Sequence, residues 1–76
     1  MIKEHDRVIL MDAVDEHGLK PGDIGAVVYV HGEGEAFEVE FVTLDGESAA
    51  ILELEAHQVR AANTREIPHA RPLSVA

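Results

Sequence analysis

The chain of 76 residues contains no cysteine, no tryptophan, one tyrosine and two phenylalanines. Without cysteine it cannot form a disulfide, a thiolate zinc site, a thiol nucleophile or a thiol redox switch. No apolar run approaches the roughly 18 residues that a membrane-spanning helix needs. The first ten residues, MIKEHDRVIL, mix both charges. We therefore expect a soluble, cytoplasmic protein with no signal peptide and no membrane partner.

Positive charge is also scarce, because six Lys and Arg residues face fifteen Asp and Glu residues and give a formal net charge of -9. Nucleic-acid affinity depends mainly on cations that displace counterions from phosphates. DNA, RNA and anionic membranes are therefore poor ligands for this chain. A basic protein surface or a metal ion is a better partner. The alternative is that the charge only keeps a small protein soluble.

Short apolar segments separated by turns indicate an all-β domain between Asp6 and about Arg60. Lys20-Pro21-Gly22-Asp23 predicts a turn, because proline presets φ at the second position and glycine tolerates a positive φ at the third. A second hairpin is predicted around Asp45-Gly46 as a two-residue type I′ turn, for which the numbers of paired residues sum to 91.

This register places three apolar pairs on one face of the hairpin and glutamates on the other, which supports it because a one-residue slip would bury the glutamates. We predict five short antiparallel strands, at residues 6–12, 24–31, 35–44, 47–55 and 57–61. They are expected to close around Val8, Leu10, Ile24, Val28, Val30, Phe37, Val39, Phe41, Leu52, Leu54 and Val59.

The segments GLKPGDIGAVV, EAFEVEF, LDG and LEL occur in this order between residues 18 and 54. Together they resemble a short bacterial family classed only as a domain of unknown function, and the resemblance runs from about His5 to Arg60. It implies an SH3-like small β-barrel, similar to KOW-type modules and to the barrel of the nitrile hydratase β subunit. KOW relatives in ribosomal proteins are basic and bind RNA, whereas this chain is acidic, so RNA binding is not expected. Genes of such short acidic proteins often lie beside another small gene, which suggests a toxin-neutralising or subunit-partner role.

On this interpretation residues 1–60 form the SH3-like barrel, and residues 61–76 form a tail that is partly disordered or dependent on a partner. The tail contains two prolines and no periodic pattern. The alternatives are that it packs along the barrel or exchanges with another subunit. A chain this short buries only about 60% of its unfolded surface, so a homo-oligomer is also expected.

No catalytic constellation is evident, since no hydroxyl residue lies in a nucleophile-elbow sequence and no glycine-rich phosphate loop is present. We expect neither an enzyme nor a cofactor. The five histidines are scattered, but His31 lies in a loop with Glu33 and Glu35, and these three side chains are candidates for a weak metal site. The alternative is an acidic hairpin loop in which Gly32 and Gly34 supply turn geometry.

The predicted register puts Glu38 opposite Glu53 on the outer face of the hairpin, where like charges destabilise the pair. Such an acidic face suits a basic protein partner, and an exposed tyrosine beside it would anchor an interface. The alternative is a solvated face that deters edge-to-edge aggregation. The candidate partner-binding residues are Tyr29, Glu38, Glu40, Ile51, Glu53 and Glu55.

The leading hypothesis is a non-catalytic protein-interaction module, such as the antitoxin, immunity or accessory member of a two-gene pair. The rival hypothesis is a small-molecule or metal-binding barrel that serves as an enzyme subunit. A purely structural homo-oligomer is the third.

Overall fold

Five antiparallel strands form one sheet in the computed structural model, which describes residues 1–74. The strands are β1 (Arg7–Leu10), β2 (Ile24–His31), β3 (Ala36–Val42), β4 (Ser48–Glu55) and β5 (Val59–Ala61), in the spatial order β4-β3-β2-β1-β5. Single 3₁₀ turns lie at Asp15–His17 and Ala56–Gln58. The predicted all-β class and the five antiparallel strands are confirmed. Within residues 1–74 no helix is long and apolar enough to cross a bilayer.

The sheet curls on itself, because the 3₁₀ turn that joins β4 to β5 links its two edge strands. Four strand spacings would separate the edges of a flat sheet by roughly 19 Å. Three residues of 3₁₀ helix advance only about 6 Å. Accordingly, Leu54 of β4 and Val59 of β5 pack in the same core cluster. The edges are not hydrogen-bonded to each other in the described chain, so the fold is a barrel-like sheet rather than a closed barrel.

The register predicted for the β3–β4 hairpin is confirmed, whereas its turn is different. Six pairs, from Ala36↔Glu55 to Phe41↔Ala50, follow the expected register. The turn, however, has Gly46 N–H donating to the Thr43 carbonyl at 2.9 Å, with a φ of 87° at Gly46. It is therefore a three-residue loop with glycine in the left-handed position. Between Phe41 and Val42 the register shifts by one residue, because Val42 pairs with Ser48 and one residue of β4 is left unpaired. This shift reconciles the predicted strand pairing with a loop that is one residue longer than predicted.

A bulge in β2 overturns the prediction that Val28 is in the core. Val27 pairs with Val39 and Tyr29 with Glu38, so Val28 is an extra residue without a partner in β3. Val28 is 43% exposed, whereas Val27 is 1% exposed. Strict alternation along a strand fails where a bulge shifts its phase by one residue.

The core otherwise contains seven of the eleven predicted residues and five that were not predicted, namely Ile9, Leu19, Val27, Ala36 and Ala50. Ile9 and Leu19 are buried, and Leu19 is held by an isolated bridge to Val14 in the β1–β2 connection. The predicted core residues that are only half-buried are Ile24, Val30 and Leu52. The buried core residues are Val8, Ile9, Leu10, Leu19, Val27, Ala36, Phe37, Val39, Phe41, Ala50, Leu54 and Val59.

Gly25 of β2 leaves no room for a side chain beside β3. A Cβ atom built there would lie 2.4 Å from Val39 Cγ1 and 2.9 Å from Phe41 Cε2. Both contacts are shorter than a side chain can tolerate without movement of its neighbours. The same residue pairs with Val8 of β1, so glycine allows β1 and β3 to pack around a thin segment of β2.

The predicted turn before β2 is confirmed. Asp23 N–H donates to the Lys20 carbonyl at 3.0 Å, and Gly22 has a φ of 99°. The Asp23 carboxylate also accepts a hydrogen bond from the Lys20 amide at 2.8 Å. The turn thus fixes an acidic side chain at the entrance to β2.

Candidate interaction surface

The outer face of β2, β3 and β4 carries the predicted partner-binding residues. Cross-strand pairing places Tyr29 beside Glu38 and Glu38 beside Glu53, in one row across three strands. The next pair along β3 and β4 is Glu40 with Ile51. Tyr29 is 50% exposed and Ile51 is 56% exposed, as expected for residues outside the core. We call Tyr29, His31, Glu38, Glu40, Ile51, Glu53 and Glu55 the outer acidic face.

His31 lies between the two like charges of the row. Its Nε2 atom is 3.0 Å from Glu38 Oε2 and 4.0 Å from Glu53 Oε1. The imidazole also meets the Tyr29 ring edge to face, with centroids 4.8 Å apart. A donor that is hydrogen-bonded to Glu38 and lies close to Glu53 offsets part of the repulsion between the two carboxylates. Sequence reasoning missed this role, because His31 and Glu53 are 22 residues apart.

The structure does not assemble the predicted metal ligands His31, Glu33 and Glu35. His31 turns to Glu38 instead, and a Glu35 carboxylate oxygen accepts a hydrogen bond from the Glu33 amide at 3.3 Å. The loop is a tight turn in which Gly32 and Gly34 both have positive φ. Among residues 1–74 no group of three His, Asp or Glu side chains is placed to hold a metal ion. The three residues are therefore close in sequence, but their side chains do not converge on one point.

Glu55 lies at the end of the outer acidic face, where β4 passes into the 3₁₀ turn. Its backbone N–H donates to Gln58 Oε1 at 2.8 Å, which caps that turn. His57 Nδ1 lies 3.5 Å from Glu55 Oε1, and both side chains are exposed. Glu55 therefore combines a capping role with a place at the edge of the face.

The net charge of the protein resides entirely in one part of the chain. Residues 21–59 contain nine of the fifteen carboxylates and no Lys or Arg. The rest of the chain carries all six Lys and Arg residues and six carboxylates, which cancel. Because β2, β3 and β4 all lie within residues 21–59, the negative field is strongest over these three strands.

Arg71, from outside this region, forms an ion pair with a carboxylate inside it, and no sequence pattern indicates this contact. Arg71 Nε donates to Asp23 Oδ1 at 2.9 Å, and Arg71 Nη2 donates to Asp23 Oδ2 and, at 2.8 Å, to the Gly18 carbonyl. The Arg71 and Asp23 side chains are 27% and 19% exposed. We call this contact the Arg71 clasp. It ties the C-terminal segment, which is residues 62–74 of the described chain, to the turn before β2.

The pKa of Asp23 reflects two opposing effects. Partial burial acts to raise it, but the hydrogen bonds from Arg71 and from the Lys20 amide outweigh burial and hold the pKa below its usual value. The same contact raises the pKa of Arg71. Asp23 is thus a carboxylate at neutral pH, bound to a guanidinium in bidentate geometry.

A second ion pair orders the start of the C-terminal segment. Arg60 of β5 donates from Nη1 and Nη2 to the two Glu66 carboxylate oxygens at 3.0 and 2.6 Å. The Asn63 amide donates to Glu66 Oε1 at 2.7 Å. Hydrogen bonding to Arg60 is the main reason that the pKa of Glu66 falls to about 2.

Comparison with known proteins bears on the barrel and not on the C-terminal segment. No curated protein and no solved structure matches the chain. A family model, described as a domain of unknown function (DUF4926), matches residues 4–61. The match spans β1 to β5 and confirms the resemblance to a family of unknown function. The chain therefore belongs to the DUF4926 family.

Proposed function

We propose that this protein is a non-catalytic interaction module that binds a basic protein surface through its outer acidic face. The observation that carries the proposal is the row of Tyr29, Glu38 and Glu53 within a region of nine carboxylates and no Lys or Arg. Within this region the like charges of Glu38 and Glu53 face each other across β3 and β4, which lowers the stability of the fold. A basic partner would remove that cost on binding.

The composition of the face suits recognition as well as attraction. Tyr29 and Ile51 supply exposed apolar area, and carboxylates surround them. Tyrosine is enriched among residues that dominate binding energy. Charged residues around such anchors mainly raise the association rate and exclude wrong partners. The face thus combines two anchors with a single sign of charge.

Within this proposal the protein is the accessory, immunity or antitoxin member of a pair in the bacterial cytoplasm. The partner would be the product of a neighbouring gene and would present Lys or Arg side chains. Self-association through exposed Met11, Tyr29 and Ile51 stays a separate prediction. Light scattering at high micromolar concentration checks it, and a monomer mass would reject it.

The test compares two variants that remove the same charge from different places. Glu38→Gln/Glu53→Gln neutralises the centre of the outer acidic face, and Asp12→Asn/Glu16→Gln neutralises two exposed carboxylates in the β1–β2 connection. Each tagged protein is used to capture partners from the native cells, and the captured partners are then eluted with a salt gradient. The cognate partner should leave the first variant at lower salt than the parent, because screening acts on fewer charges. It should leave the control at the parent's salt concentration.

Two results would contradict the proposal. The first is elution of the partner at the same salt from both variants and the parent, which would make the face a solvated surface only. The second is an equal loss from both variants, which would show that total charge, rather than this face, attracts the partner.

A further inference from the structure

A groove of about 640 Å³ lies between the C-terminal segment and the barrel, at the end where β2 begins and the β3–β4 hairpin turns. The barrel wall includes Leu19, Ile24 and Val42, and Asp23 stands at its rim. The opposite wall is the chain's own segment at residues 68–73. This region is distinct from the outer acidic face, although both lie largely within the acidic part of the chain.

The Arg71 clasp shows what the rim of the groove recognises. Asp23 accepts from Nε and Nη2 along one edge of the guanidinium, and the Gly18 carbonyl accepts a further hydrogen bond from Nη2. The Asp23 carboxylate is held in place by the Lys20 amide rather than by a flexible neighbour. A fixed carboxylate beside a backbone carbonyl matches the planar fork of arginine and not the point charge of lysine.

The C-terminal segment that now fills this position is held by few bonds. Of the described residues after β5, Ala62 donates a backbone hydrogen bond to the Arg7 carbonyl at 3.1 Å. No other backbone hydrogen bond joins residues 62–74 to the sheet. Beyond Ala62 the segment is attached through the Arg60–Glu66 pair and the Arg71 clasp. A segment attached by side chains at two points can be displaced without unfolding the barrel.

We propose that the barrel wall of this groove is a second docking site, which takes an extended arginine-bearing segment of the basic protein partner when residues 68–73 are displaced from it. The proposal rests on the proposed function for the nature of the partner. Charge complementarity favours that occupant, because residues 21–59 contain nine carboxylates and no Lys or Arg. The arginine would bind Asp23 and the Gly18 carbonyl, and apolar residues beside it would lie along Ile24 and Val42. The chain's own segment thereby covers the site until a partner segment competes.

The test uses the full-length chain and a synthetic peptide of the sequence EIPHARPLS as a model of an arginine-bearing segment. The protein variant Arg71→Ala should bind the peptide saturably, as measured by fluorescence anisotropy. The parent should bind about tenfold more weakly, because its own segment competes at an effective concentration near the millimolar range. Adding Asp23→Asn to Arg71→Ala should weaken binding about tenfold, since the charged half of the bidentate contact is lost. A peptide with alanine in place of its arginine should lose a similar amount.

A control separates this proposal from the proposed function. Glu38→Gln/Glu53→Gln, added to Arg71→Ala, should leave the affinity for the peptide unchanged, whereas in the capture experiment the same pair of changes weakens the native partner. Equal affinity of the arginine and alanine peptides, or no saturable binding to Arg71→Ala at millimolar peptide, would overturn the docking site. So would a parent that forms dimers which Arg71→Ala abolishes, because the occupant would then be the C-terminal segment of a second copy.

Discussion

Two parts of the molecule differ in what holds them in place. One part comprises the strands β2, β3 and β4, and the other comprises β1, β5 and the C-terminal segment. The first three have 8, 7 and 8 residues and, together with their turns in residues 21–59, hold all the net charge, whereas β1 and β5 have 4 and 3 residues. Long strands fix their register by many apolar pairs. The C-terminal segment that follows the short strand β5 depends instead on single contacts, the Arg71 clasp and the Arg60–Glu66 pair. The three long strands are therefore positioned by their apolar pattern, and the C-terminal segment by individual side chains.

The largest expected effect lies at Gly25, where the two parts meet. Gly25→Ala should lower the free energy of unfolding by about 3 kcal/mol, because the added Cβ must displace Val39 and Phe41 from a filled core. Gly46→Ala is the control, since its Cβ meets nothing within 4 Å and only its positive φ is strained. The control should cost about 1 kcal/mol. Urea unfolding measures both, and a smaller loss at Gly25 than at Gly46 would show that β2 does not pack tightly on β3.

The next effect distinguishes a bulge from a regular strand in β2. Val27→Ala should cost about 2 kcal/mol, because it removes a fully buried side chain. Val28→Ala should cost less than about 0.5 kcal/mol, because its side chain is largely outside the core. Urea unfolding of the two variants measures the difference. If Val28→Ala were the more harmful change, β2 would follow regular alternation and the bulge would be wrong.

The β3–β4 register and the bulge in β2 show how far the fold can be predicted from the sequence. The β3–β4 register was predictable because three apolar pairs and the facing glutamates reinforce one another. The bulge at Val28 was not predictable, because one extra valine in a run of valines does not change the apolar pattern. The acidic residues of the outer face were predicted through the same register, but the place of His31 between Glu38 and Glu53 depends on a rotamer. The Arg71 clasp joins residues 48 positions apart, and no local pattern indicates such a contact.

A smaller effect is expected from the Arg71 clasp, which tests whether the C-terminal segment is a separate unit. Arg71→Ala should lower the free energy of unfolding by less than Val27→Ala does, because the charge-assisted contact is partly open to water. The loss should be local, so amide exchange should accelerate around Asp23 and not in β3 or β4. Arg65→Ala is the matched control, because its side chain makes no hydrogen bond or ion pair in the described chain. Faster exchange throughout the sheet would instead show that the segment and the barrel unfold together.

The outer acidic face should show a still smaller effect of the opposite sign. Glu38→Gln/Glu53→Gln removes a like-charge pair across β3 and β4 and should raise the free energy of unfolding by about 0.2 to 0.5 kcal/mol. His31→Ala in the parent should lower it by a similar amount, because the donor between the carboxylates is lost. In the Gln/Gln background the same His31→Ala change should have less effect. A double-mutant cycle measures this coupling, and strictly additive changes would show that His31 does not offset the repulsion.

The smallest effect concerns a single proton at the start of the C-terminal segment. Glu66 has its pKa lowered from 4.5 to about 2, first by hydrogen bonding to Arg60 and then by the Asn63 amide. A carboxyl whose pKa is depressed in the folded state stabilises that state fully above its unfolded pKa, and this contribution is lost as the pH falls through the folded value. The Arg60–Glu66 pair should thus be intact at pH 5 and should open as the pH falls towards 2. Carboxyl NMR titration should give a Glu66 pKa near 2 in the parent and in Arg65→Gln, but a clearly higher pKa in Arg60→Gln, where only the Asn63 amide still donates to the carboxylate. A Glu66 that titrates alike in all three proteins would mean that the ion pair does not order the segment, and the division of the molecule into patterned and singly tethered parts would then rest on the Arg71 clasp alone.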